Sequence, residues 1–294
     1  MNINYIKEIN ESRVYDVAEK TPVSLLNKIS AKYNNTIYLK REDLQPIFSF
    51  KCRGAYNKIS SLSSIDTDKG IIAASAGNHA QGVALSASKL RIDAMIVMPT
   101  TTPSIKIESV KKFGVKVKLY GDSFDEAYEY ALEVSNNEGR VFIHPFDDPL
   151  VIAGQGTVAK EIVEQSEEAP DIFFIPVGGG GLISGMSMYL KEHYPNIKVY
   201  GVESEDAPTL FTSLRNGKPT SLDQVGLFVD GCAVKRIGEE TFRISKKYVD
   251  DVILVSIDET CAAIKDIYED TRVMSEPAGA LSIAGMKKFI ASNN

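Results

Sequence analysis

An α/β fold with parallel sheets flanked by helices, organised in two lobes, is predicted by three observations. Short, almost wholly apolar runs of strand length recur along the chain. Stretches of helical periodicity separate them. Two of the strand-to-helix junctions are built from small residues, ASAGN (74–78) and VGGGG (177–181). Strands that are apolar on both faces and alternate with helices belong in parallel sheets covered on both sides.

The elements follow in order. Strands are expected at TIYLK (36–40), GIIAAS (70–75), AMIVMP (94–99), KVKLY (116–120) and VFIHP (141–145), then at IFFIPV (172–177), VYGVE (199–203) and VILVS (252–256). Between them, SFDEAYEYALEVSNNEG (123–139) reads as a helix, with Phe124, Ala127, Tyr128, Ala131, Leu132 and Val134 on one face and Gly139 as its stop. A second helix is expected over GTVAKEIVEQSEE (156–168), and others over NHAQGVALSASKL (78–90) and GLISGMSMYLKEHY (181–194). The punctuation in HPFDDPLVIAGQG (144–156) suggests a crossing between lobes. That places a smaller lobe at about 52–150, inserted into a larger one made of 1–51 and 151–294.

Composition narrows the function classes. With 44% apolar and 24% charged residues, the 294-residue chain can bury a sizeable core. Its net charge is −6 and its basic residues are dispersed, so nucleic acid is not indicated. The amino terminus lacks an apolar leader segment, and no run approaches a membrane-spanning length. Cys52, Cys232 and Cys261 lie far apart without ligand spacing, which favours reduced, buried thiols and a cytoplasmic protein.

Three segments carry chemistry. In FSFKCRGAYNK (48–58), Lys51 follows Ser49 and Phe50 and precedes Arg53; a lysine held against an aromatic and near a second cation can lose its proton and act as a nucleophile. In IPVGGGGLISGM (175–186), a buried strand enters four glycines and then a helix. Backbone N–H groups there can close around an anion, so Gly178, Gly179, Gly180 and Gly181 read as a phosphate cradle, the alternative being a flexible turn. The spacing is not that of an NTPase P-loop. In ASAGNHAQG (74–82), the same construction, with the Ser75 hydroxyl and the Asn78 amide, can hold a carboxylate. His79 reads either as a general base or as a packed imidazole at a helix start. A reactive lysine, a carboxylate turn and a phosphate turn together suit pyridoxal phosphate, with an amino acid as substrate.

The segments KREDLQPIFSFKCRGAY (40–56), ASAGNHAQGVA (74–84), PVGGGGL (176–182), VGLFVDGCAVKRIGEETF (225–242) and EPAGALSIAGMKK (276–288) resemble biosynthetic threonine dehydratase, also called threonine ammonia-lyase. The resemblance runs from about residue 13 to the end. It implies a two-lobed fold type II pyridoxal phosphate enzyme, similar to the tryptophan synthase beta chain, with the cofactor between its lobes. It implies conversion of L-threonine to 2-oxobutanoate and ammonia, the first step of isoleucine biosynthesis, in a homodimer or homotetramer.

By the same resemblance, Lys51 would bind the cofactor and serve as base at the substrate α-carbon, and Phe50 would pack against the cofactor. Asn78 would bond the ring hydroxyl oxygen. The run Ser75, Ala76, Gly77, Asn78 and His79 would hold the substrate carboxylate, and Gly178 to Gly181 with Leu182 the phosphate. Glu276 would lie near the ring without an assigned role. Some relatives, including serine racemase, bind a divalent cation through a segment like VESEDAPTL (202–210). Here Glu203 is present but Thr209 stands where they carry a second carboxylate, and Glu205 and Asp206 read as a solvated turn, so no metal is expected. The family's Ser-Gly-Ala-Asn segment and its isoleucine-binding regulatory domain do not follow Asn294, so a catalytic domain alone is expected. A serine dehydratase or racemase, and a cofactor-binding pseudoenzyme, are the alternatives.

Overall fold

The computed structural model describes residues 3–293. Among them run nine strands: β1 (Val23–Leu25), β2 (Tyr38–Lys40), β3 (Ile71–Ala74), β4 (Ala94–Met98), β5 (Lys116–Leu119), β6 (Val141–Phe142), β7 (Ile172–Pro176), β8 (Lys198–Ser204) and β9 (Asp251–Val255). The chain divides into two compact units. Residues up to Lys20 with Glu42–Thr157 form the first, and Thr21–Arg41 with Val158 onward form the second.

The first unit takes in the residues up to Lys20, 42–51 and 151–157, all of which the sequence places in the other lobe. The buried Arg53 gathers them. Its guanidinium grips Glu42 through two bonds of 2.8 and 2.9 Å, donates to Thr157 Oγ1 at 3.1 Å, and reaches the Glu19 carbonyl at 3.2 Å. A buried guanidinium must have its donors satisfied, so the segments that satisfy it stay together.

The sheet of the first unit has the order β5-β4-β3-β6 and is parallel throughout. Ile71 and Ala73 of β3 enter one core with Val83, Ala84 and Ala87 of the Asn78–Leu90 helix. Ile72 and Ala74 enter the other with Ala127, Ala131 and Val134 of the Phe124–Glu138 helix. This alternation is the period of two expected of a strand covered on both faces. Ser123 and Glu126 form a reciprocal cap at the start of the Phe124–Glu138 helix, and Gly139 ends it at φ 72°.

Most of HPFDDPLVIAGQG is helical, and the segment ends just before the boundary between the two units at Thr157. Asp148 caps a helix, Pro149–Gln165, accepting the Leu150 N–H at 2.8 Å, with Pro149 in the first helical position. The helix begins seven residues before its predicted start at 156. Gly154 is a contact residue: a Cβ there would stand 2.7 Å from Gly54 Cα, on the Lys51–Ile59 helix. The two helices touch main chain to main chain at this pair of glycines.

The second unit holds a parallel sheet of order β7-β8-β9 and an antiparallel pair, β1 with β2. Its core joins Val202 and Val255 to Leu281, Ile283 and Ala284 of the Pro277–Asn293 helix. Phe289 of that helix packs on Phe174 and Tyr200, with ring centroids 5.5 and 4.8 Å away. The antiparallel pair departs from the all-parallel expectation; β1 has three residues, too few for a period to show.

Candidate active site

In the first unit, the chain enters the Lys51–Ile59 helix through Phe48, whose φ of 60° is unusual for a bulky residue. Phe50 is the N-cap and Lys51 the first helical residue. The Lys51 Nζ lies 5.5 Å from the Phe50 ring centroid and donates to the Pro145 carbonyl at 3.3 Å. That carbonyl is presented by a turn that His144 closes: His144 Nδ1 accepts the Asp147 N–H at 2.8 Å and the Phe146 N–H at 3.3 Å. The bonding requires a bare Nδ1, so the His144 proton sits on Nε2. Burial holds the His144 pKa below its usual value against the pull of Asp147 and Asp148, and the Lys51 charge lowers it further.

The ASAGN turn leaves the end of β3 and enters the Asn78–Leu90 helix. Ser75 Oγ accepts the Gly77 N–H at 3.2 Å and shapes the turn. Gly77 is the N-cap and no side chain caps the helix, so its positive end faces the turn. The His79 imidazole is buried, with Nε2 2.9 Å from the Ile143 carbonyl. Burial, assisted by the Lys51 charge, depresses its pKa to about 3. It is a neutral packed side chain, leaving its backbone N–H as the group that can face a carboxylate. The Lys51 helix and this helix approach closely at Gly82, where a Cβ would stand 2.8 Å from the Lys51 carbonyl oxygen. The first unit therefore brings Lys51, Phe50, His79, His144 and the Pro145 carbonyl into one neighbourhood.

In the second unit, β7 runs into the four glycines and the Gly181–His193 helix follows. Gly180 is the N-cap at φ 90°, and no side chain caps the helix. A Cβ on Gly178 would stand 3.0 Å from Cys232 Cα, and one on Gly180 would stand 2.9 Å from Thr241 Cβ. A side chain is thus disfavoured at Gly178 by its neighbour and at Gly180 by both backbone geometry and neighbour. Glu276 approaches the Asp230–Cys232 turn: a Cβ on Gly231 would lie 3.6 Å from Glu276 Oε1.

These features meet the needs of pyridoxal phosphate. The turn holding Gly178 to Gly181 and Leu182 has uncapped amides of the kind a phosphate dianion requires, and Lys51 offers an amine of the kind an aldehyde requires. Two residues before Lys51, the Ser49 hydroxyl is buried with no hydrogen-bond partner among the described residues, a polar atom suited to a ligand.

Elsewhere, Glu203 is fully buried and accepts the N–H groups of Leu210 at 2.7 Å and Phe211 at 2.9 Å, fixing the start of the Thr209–Asn216 helix. Burial pushes its pKa up to about 8 in spite of those N–H groups. Thr209 Oγ1 donates to the Val234 carbonyl, and Glu205 pairs with Lys288 at 3.4 Å. Among the described residues, no group of three or more His, Cys, Asp or Glu side chains is arranged to hold a metal ion.

Comparison with known proteins settles the family. The model of the family described as "Pyridoxal-phosphate dependent enzyme" matches residues 14–293. The chain belongs to the pyridoxal-phosphate dependent enzyme family. It is 53% identical over 290 residues to L-threonine dehydratase biosynthetic IlvA of Pasteurella multocida, an alignment covering 99% of this chain and 56% of that protein. The chain thus spans just over half the length of that relative.

Among solved structures, it resembles the processed form of threonine deaminase isoform 2 from Solanum lycopersicum, with a TM-score of 0.96 and 48% identity over 98% of this chain and 79% of the other. It also resembles maize serine racemase, with a TM-score of 0.92 and 34% identity over 98% of this chain and 88% of the other. The fold is that of the fold type II members, and the likeness to biosynthetic threonine dehydratases expected from the motifs is found over nearly the whole chain. No helix among the described residues is long and apolar enough to cross a membrane.

Three contributors escaped the sequence reading. His144 and Pro145 lie in a segment whose prolines and aspartates read as a turn. Thr241 lies in GEETF, a segment with no chemical signal of its own in the sequence.

Proposed function

We propose that this chain carries the catalytic machinery of a threonine ammonia-lyase, a carbon–nitrogen lyase that converts L-threonine to 2-oxobutanoate and ammonia in isoleucine biosynthesis. The observation that carries this reading is the 53% identity to a biosynthetic L-threonine dehydratase across 290 residues, a span that includes Lys51 and both small-residue turns. When bound, pyridoxal phosphate supplies an electron sink for negative charge at the substrate α-carbon.

The protein's own groups do the rest. Lys51 provides the amine that attaches the cofactor, and it holds or moves the α-proton at Nζ once released. Its bond to the Pro145 carbonyl orients that amine. Phe50 packs against the cofactor ring, and Asn78 bonds its hydroxyl oxygen. The Ser75 to His79 turn binds the substrate carboxylate through its amides, with the His79 imidazole neutral and uninvolved in proton transfer. Gly178 to Gly181 and Leu182 bind the phosphate.

The test is to mix the protein with pyridoxal phosphate and either L-threonine or L-serine and to follow oxoacid release. The reading expects 2-oxobutanoate from threonine. The rival reading, a serine dehydratase or racemase, expects pyruvate or D-serine from serine and little from threonine. Cofactor binding without either product would leave a pseudoenzyme. The same reading extends to a cytoplasmic homodimer or homotetramer, which sedimentation of the protein and fractionation of its cells would check.

A further inference from the structure

The tetraglycine turn is flexible by composition, yet an anion cradle works only if its amides point one way. The structure shows what sets their direction. Thr241, in the first turn of the Glu239–Tyr248 helix, is fully buried, and its Oγ1 donates to the Gly179 carbonyl at 2.8 Å. A second acceptor, the Gly238 carbonyl, lies 3.2 Å from the same oxygen. The helix bearing Thr241 is fastened in turn to the helix that follows the glycines: Ser184 Oγ donates to the Thr241 carbonyl at 2.9 Å and lies 3.2 Å from Ser245 Oγ.

The peptide between Gly179 and Gly180 is trans, so its carbonyl and its N–H point in opposite directions. Holding the Gly179 carbonyl on Thr241 therefore turns the Gly180 N–H away from Thr241. The left-handed φ of 90° at Gly180 brings its Cα hydrogens against Thr241, where a Cβ would stand 2.9 Å from Thr241 Cβ and 3.0 Å from Oγ1. Among the described residues, the N–H groups of Gly178, Gly179 and Gly180 bond no protein acceptor. A glycine peptide released from Thr241 can rotate at small cost. It would then present its carbonyl, an acceptor, to a phosphate dianion.

We propose that Thr241 is a positioning residue for the phosphate of the cofactor: its hydroxyl locks the Gly179–Gly180 peptide with the N–H directed into the cradle. The inference rests on the reading of Gly178 to Gly181 as the phosphate site, and it assigns the selectivity for a phosphorylated cofactor to a side chain that never touches the phosphate.

The test compares pyridoxal phosphate with pyridoxal, which lacks the phosphate, on the parent, Thr241→Val and Thr241→Ser. Binding is followed by cofactor absorbance during equilibrium titration. Thr241→Val keeps the shape and removes the donor; its affinity for pyridoxal phosphate should fall by about tenfold to a hundredfold, the range for a bond to a charged group. Its affinity for pyridoxal should change less than about twofold, and Thr241→Ser, which keeps the hydroxyl, should stay within about threefold of the parent for both.

Equal losses for the two cofactors in Thr241→Val would make Thr241 a general packing residue and overturn the proposal. So would a loss in Thr241→Ser as large as in Thr241→Val. If Thr241→Val does not fold, the serine variant decides: retained preference for the phosphorylated cofactor supports the role, and its disappearance refutes it. A parent that binds the two cofactors equally would refute the cradle itself, a different failure from a parent that discriminates and variants that all do so equally well.

Discussion

Replacing Gly82 by alanine tests the close approach that fixes the Lys51 backbone. An added Cβ would stand 2.8 Å from the Lys51 carbonyl oxygen, 3.0 Å from its carbonyl carbon and 3.3 Å from Ala55 Cβ. Two of the three neighbours are main chain and cannot rotate aside. Overpacking of this kind costs about 1–3 kcal/mol, and contacts with backbone place it in the upper half of that range. Against it stands the gain of alanine over glycine in a helix interior, about 1 kcal/mol. The net expectation is a loss of about 1–2 kcal/mol in G82A, together with a displacement of Lys51 by a few tenths of an ångström. Urea unfolding of the cofactor-free protein measures the first, and the rate at which pyridoxal phosphate attaches to the protein reports the second. Small displacements of a reacting group lower rates steeply, so attachment should slow severalfold. A variant more stable than the parent by about 1 kcal/mol, with an unchanged attachment rate, would show that propensity alone governs the position and that the two helices are not in contact there.

Other perturbations read other parts of the account. His144→Leu removes the acceptor that closes the 144–147 turn, whereas His144→Asn keeps an acceptor near the same place; cofactor attachment should slow in the first and recover in the second, and equal rates in both would deny the turn a role. Gly180→Ala forces a side chain into the left-handed region and against Thr241, so pyridoxal phosphate affinity should drop at least about tenfold in an equilibrium titration, with unaltered affinity as the contrary result. His79, with its pKa lowered from 6.5 to about 3 in the folded protein, makes a prediction about acid. The unfolded chain binds a proton at this position below about 6.5 and the folded chain does not until about 3, so its contribution to stability is present above the upper value and lost as pH falls towards the lower. Relative to His79→Gln, which does not titrate, the parent should lose up to about 1.4 kcal/mol per pH unit within that window. Parallel stability curves for the two proteins, measured by urea unfolding from pH 7 to 4.5, would contradict the assignment.

Much of this architecture was legible because strands covered on both faces must be apolar throughout. All eight predicted strands appear within two residues of their expected starts, while the predicted ends of GIIAAS and VFIHP pass into turns. The helix over 124–138 was readable from its apolar face and its Gly139 stop, and the Ser123 cap is what the structure adds. The Pro149–Gln165 helix was obscured because Pro149 and Gly154 carry two meanings. Proline breaks a helix interior but suits its first position, and glycine marks a turn unless another backbone needs its space. For Gly154 the meaning that holds depends on Gly54, on a helix distant in sequence, and no local pattern contains that.

The same limit governs the site. Lys51 and the glycine turns stood out by composition. The groups that aim them did not: the bond from Lys51 to Pro145 spans 94 residues and that from Thr241 to Gly179 spans 62. His79 stands out in sequence as a titratable group at a helix start, and the structure shows it neutral and packed against Ile143. The unit division also depended on a distant partner, since Arg53 reads as one more cation until Glu42 and Thr157 surround it.

The central claim is that Lys51 carries the cofactor. Its most direct test is to load the protein with pyridoxal phosphate, reduce the carbon–nitrogen linkage with borohydride, digest the product and locate the added mass along the chain. The account predicts one modified residue, Lys51, in the parent and no modification at stoichiometric cofactor in Lys51→Ala. Added mass on a different lysine in the parent, or the same extent of modification in the variant, would contradict it.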